Sequence, residues 1–76
     1  MNAQEASKIA CDKIYADNKE TIDSIMKDIE LSASNGCDSI NVIRCNYVVT
    51  YKIKYYFEKL GYRFNIFNDN GFDINW

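Results

Sequence analysis

The chain has 76 residues, with 9 basic and 11 acidic side chains, no histidine, no proline and three cysteines. A chain this short buries only about 60% of its unfolded surface, so it holds one domain, residues 1–76, and completion by a partner is expected. Its 47% hydrophobic and 14% aromatic content excludes a disordered chain, while no apolar run reaches the roughly 18 residues of a membrane span.

The first residues, MNAQEASKIACDK, have neither a basic leader nor an apolar segment, so the cytoplasm is the expected compartment and no membrane partner is expected. Cys11, Cys37 and Cys45 lack CxxC spacing and have no histidine beside them, which points to reduced thiols without a metal or cofactor. Residues 1–38 carry four lysines against eight carboxylates, and residues 39–76 carry five basic side chains against three carboxylates. That contrast allows a weakly basic surface but not the basic surplus of a duplex-binding domain, so nucleic acid is not the expected partner.

Asn2 and Glu5 form a capping box, and neither glycine nor proline interrupts the chain before Asn35, which predicts one long helix. Ile14, Ile22, Ile25, Met26, Ile29 and Ala33 recur at helical spacing as its core face. Asn18 occupies a position in that stripe, where a kink, a polar contact with a second chain, or a break between two shorter helices would each fit.

Asn35-Gly36 ends the helix, and residues 39–45 read as a strand with Ile40 and Val42 on one face and Ile43 and Cys45 on the other. Such a strand is either central or has its second face against a partner. Asn46 then caps a second helix that runs to Leu60, with Gly61 past its end and Val49, Ile53, Tyr56, Phe57 and Leu60 facing the core. Its β-branched and aromatic content leaves a strand over residues 47–56 as the rival reading.

Two alternating segments, Tyr62 to Phe67 and Phe72 to Trp76, flank Asn68-Asp-Asn-Gly71 and predict a β-hairpin. A three-residue loop with a left-handed Gly71 would pair Phe64 with Trp76 and Ile66 with Ile74, keeping the apolar residues on one face. The expected fold is therefore α+β in the order αβαββ, a three-stranded sheet with two helices on the face bearing Tyr62, Phe64, Ile66, Ile74 and Trp76. If the first two strands are parallel their link is a right-handed crossover, and strand orders 1-2-3 and 1-3-2 both remain open.

Catalysis is not expected, because no imidazole is present to serve a nucleophile. Cys45, before a helix N-terminus, is the one thiol whose position would lower its pKa, and packing as a small hydrophobe is the simpler role. Asp69 and Asp73 fit turn chemistry, and the Asn68–Gly71 stretch lacks the glutamate of a calcium loop. What remains is a surface of Tyr47, Tyr51 and Tyr55 beside Lys52, Lys54 and Lys59, joined by Arg44, Arg63 and Phe67 from the open sheet face. Such residues suit a protein interface, stacking on a nucleotide, or simple flanking of the core.

Gly61-Tyr62-x-Phe64, a turn, and the terminal Phe72-x-Ile74-x-Trp76 resemble the ending of many short phage and prophage proteins with a long acidic N-terminal helix. Phe72 stands where those carry tyrosine, and Tyr47, Tyr51 and Tyr55 stand where they more often carry charged residues. The resemblance implies a phage origin, and it brings no catalytic residues. The expected function is a homo-oligomeric, non-catalytic inhibitor of a host protein such as a CRISPR or other anti-phage defence effector. A sponge for a small signalling nucleotide and a virion or scaffold component are the alternatives.

Overall fold

The computed structural model describes residues 1–43, 48–68 and 70–76. The elements are α1 (Ala3–Asp17), α2 (Lys19–Ser34), β1 (Ser39–Val42), α3 (Tyr51–Lys59), β2 (Arg63–Asn68) and β3 (Gly71–Asn75). The architecture is mixed α+β, with helices packed on one face of a three-stranded antiparallel sheet.

The long N-terminal helix is two helices, and Asn18 is the reason. Its side-chain amide donates to the Ile14 carbonyl at 2.9 Å, and its backbone N–H reaches the carbonyls of Ile14 and Tyr15. A polar side chain that satisfies the last carbonyls of one helix ends that helix, which explains its place in an otherwise apolar stripe. At the other end, Asn2 Oδ1 accepts from the Glu5 N–H at 2.9 Å, the cap expected there.

In the sheet, β3 lies between β1 and β2 and is antiparallel to both, so β1 and β2 run in the same direction without pairing. β1 is an edge strand and not a central one. It ends at Val42, and Ile43 beyond it is 82% exposed. The rest of the expected strand, Arg44 and Cys45, lies outside the described residues.

The next helix begins at Tyr51, five residues later than the Asn46 cap, which also lies outside the described residues. Thr50 caps it, its hydroxyl accepting from the Ile53 N–H at 3.4 Å. Val48 and Val49 are β-branched residues poorly suited to a first turn, and here they precede the helix outside any regular element.

The hairpin register differs by two residues from the expected one: Phe64 faces Ile74, and Ile66 faces Phe72. A two-residue slip keeps every side chain on its face, so the alternation alone did not distinguish the two registers. An irregularity between Ile66 and Asn68 then sets Asn68 opposite Gly71. Gly71 is a strand residue and not a left-handed one. A Cβ there would stand 3.0 Å from the Ile43 carbonyl and 3.2 Å from Asn68 Oδ1.

The core joins Ile14 of α1, Ile22, Ile25 and Ile29 of α2, Ile53 and Phe57 of α3, and Val49 to Ile40, Phe64, Phe72 and Ile74 of the sheet. Stacked rings run from Phe57 to Phe64 (5.6 Å) and from Phe64 to Phe72 (5.1 Å). Leu60, expected inside, is exposed because α3 ends there and the chain turns away into β2. Trp76 also stays partly exposed, its ring set edge-on to Tyr62 at 6.3 Å. The other sheet face carries Ser39, Asn41, Arg63, Asn65, Asp73 and Asn75, none of them fully buried.

Candidate binding surface

α3 places the aromatic and basic side chains singled out in the sequence. Ile53 and Phe57 anchor it to the sheet, which turns residues at other helical angles outward. Tyr51 is 80% exposed at its first turn. One turn later Tyr55 is half-buried, its hydroxyl donating to Ser7 Oγ of α1 at 3.1 Å. The Lys59 ammonium sits 5.3 Å from the centre of the Tyr55 ring. Tyr55 and Lys59 thus belong to the contact between α3 and α1, and the tyrosine ladder divides after its exposed member.

Tyr56 belongs to the same contact. Its ring stacks on Tyr15 at 6.1 Å, and burial first, then the neighbouring Tyr15, raises its pKa above the ordinary 10.0. Lys52 is exposed, Lys54 is half-buried, and Arg63 is exposed on the open sheet face at the start of β2. Arg44 and Tyr47 lie outside the described residues.

The structure brings Tyr51 and Phe67 together. Phe67 sits at the irregularity in β2, without a register partner among the described residues and 56% exposed. A bulge of this kind re-aims a side chain at a sheet edge. Tyr51, Val48 and Ile66 share with Phe67 a shallow groove of about 420 Å³ between the start of α3 and the end of β2. Val48, 59% exposed, is a member the sequence reading missed. Its signal was an apolar residue two positions before a helix cap, where no core residue was needed.

Among the described residues no group of Cys, Asp or Glu side chains could hold a metal ion, and no polar or charged side chain is buried. Cys11 is half-buried and Cys37 exposed, both as free thiols, while Cys45 and Asp69 lie outside the described residues. Asp73 accepts a hydrogen bond from Asn65 at 2.8 Å across the hairpin. Among the described residues no helix is long and apolar enough to cross a membrane.

Comparisons with family models, curated proteins and solved structures return no match, so the functional reading rests on the surface itself.

Proposed function

We propose that this is a non-catalytic, phage-derived binding protein that inhibits a host protein, of the kind that serves anti-phage defence, in the host cytoplasm. The observation that carries the reading is the exposure of Tyr51 (80%) and Phe67 (56%) about one groove, beside Val48. Large apolar side chains gathered on a monomer surface and rimmed by polar groups mark interaction sites, and tyrosine supplies contact area at low entropic cost. The resemblance to short phage proteins supports the choice of a host target.

The test is capture from host lysate with the wild-type chain and with Tyr51→Ala and Phe67→Ala as baits, the captured proteins being identified by mass spectrometry. Both residues are exposed, so both variants keep the wild-type melting curve within about 0.5 kcal/mol. One host protein lost from both variants, and restored by Tyr51→Phe, is the expected result. Identical captured sets for all baits would overturn the assignment of this groove.

A further inference from the structure

We propose that two copies of the chain pair through β2, antiparallel about a two-fold axis at Asn65, to make a six-stranded sheet. β2 is an edge strand: it pairs with β3 on one side, and no described residue pairs with the other. Edge strands are commonly blunted by lysine, proline or a bulge. β2 has no lysine or proline, and its irregularity falls at Phe67, which leaves Arg63 to Ile66 regular.

The strand is self-complementary about Asn65. Centred on Asn65, Phe64 of one copy faces Ile66 of the other on the core side, and Asn65 meets itself on the open side. A centre between residues 65 and 66 would set the core face of one copy beside the polar face of the other. A centre at Ile66 would set Phe64 against Asn68 and Asn65 against Phe67. The centre at Asn65 matches apolar with apolar within β2, whereas a centre at Phe64 would need Tyr62, which precedes the strand, to face Ile66.

The helix above the strand agrees. α3 lies over β2, its Ile53 and Phe57 turned to the core and its Tyr55, Tyr56 and Lys59 turned to α1. The flank left over carries Lys54 and Glu58, and among the described residues neither makes an ion pair. Antiparallel strand pairing runs the two α3 helices antiparallel, so Lys54 of each copy meets Glu58 of the other in two symmetric contacts. The occupant of this edge is therefore a second copy. The pairing also lays Arg63 of one copy beside the Tyr51–Phe67 groove of the other, and this extension of the groove, unlike the pairing, rests on the function proposed above.

Light scattering of the purified chain across the micromolar to millimolar range tests the pairing without any target. The expected mass is twice 8.8 kDa at the upper end. Lys54→Glu sets carboxylates opposite each other and weakens the dimer about tenfold, and adding Glu58→Lys restores it. Asn65→Cys, with Cys11, Cys37 and Cys45 changed to serine, oxidises to a covalent dimer because a residue on the axis faces itself at about 4.5–5.5 Å between Cβ atoms. Asn41→Cys in the same background does not. A monomer throughout, equal cross-linking at positions 41 and 65, or no rescue by the charge swap would overturn the proposal. Target capture that survives in a strict monomer would separate this failure from that of the binding groove.

Discussion

The Tyr15 hydroxyl donates to the Asp23 carboxylate at 2.8 Å, across the point where α1 gives way to α2. Lys19 reaches the other oxygen of the same carboxylate, also at 2.8 Å, so one acid holds both sides of the break. The hydrogen bond from Lys19, then that from Tyr15, holds Asp23 below its ordinary 3.8. The same contacts raise Tyr15 above 10.0 and Lys19 above 10.5.

The signs of these shifts give two limbs of pH-dependent stability. A depressed carboxyl stabilises the fold above its unfolded value, here 3.8, and that contribution is lost as pH falls through the folded value. Raised Tyr15 and Lys19 stabilise below 10.0 and 10.5, and their contribution is lost as pH rises through the folded values. Melting temperature against pH should therefore fall at both ends. Asp23→Asn flattens both limbs, whereas Tyr15→Phe flattens chiefly the alkaline one. Parallel profiles for wild type and Asp23→Asn would show that the carboxylate does not link the helices. All three groups face solvent, so added salt shrinks the effect.

Tyr51 and Tyr55 read alike in the sequence, one helical turn apart beside lysines, yet they sit in different surroundings. Tyr55→Phe removes a hydrogen bond to Ser7 and costs about 0.5–1.5 kcal/mol of stability. Tyr51→Phe, at an exposed position, stays within about 0.5 kcal/mol of wild type. Urea denaturation followed by circular dichroism separates the two, and equal midpoints would mean that Tyr55 is as peripheral as Tyr51.

Two glycines resist substitution for different reasons. Gly36 has φ +84° with open space where a side chain would go, so Gly36→Ala pays a left-handed backbone penalty of about 1–2 kcal/mol. Asparagine tolerates that conformation, and Gly36→Asn recovers most of the loss. Gly71 is crowded: its Cβ would press on the backbone carbonyl of Ile43 at 3.0 Å. Any side chain there costs about 1–3 kcal/mol, asparagine no less than alanine. Rescue by asparagine at position 71 would contradict the crowding and restore the left-handed reading of the hairpin.

The two-fold alternation of Phe64, Ile66, Phe72 and Ile74 made the hairpin and its inner face legible, and the isoleucines at positions 22, 25 and 29 did the same for α2. Where those patterns are silent, the sequence misled. Alternation does not separate registers two residues apart, and the close approach of Gly71 to the Ile43 carbonyl, 28 positions earlier in the chain, is a contact that no local pattern announces. Capping rules pointed to Asn46 as the start of α3, whereas Thr50, which the same rules would also admit, makes the bond. At the surface, the aromatic count identified Tyr51, but its pairing with Phe67 needed the strand irregularity, which no local signal announces.

The open sheet face carries a further cost. Asn41, Asp73 and Asn65 lie in one cross-strand row, with Asn75 in the next, and these residue types are depleted in strands because they hydrogen-bond locally in other conformations. Asn65 and Asp73 offset this with their mutual hydrogen bond at 2.8 Å. Asn41, exposed on β1, faces Asp73 from the other side. Asn41→Thr should raise the free energy of unfolding by up to about 1 kcal/mol, since threonine suits a pleated, solvent-facing strand. Urea titration would show a higher midpoint with an unchanged slope, the sign of a more stable fold that exposes the same surface on unfolding. A lower midpoint would mean that the Asn41 amide makes a contact with Asp73 that outweighs its poor strand propensity.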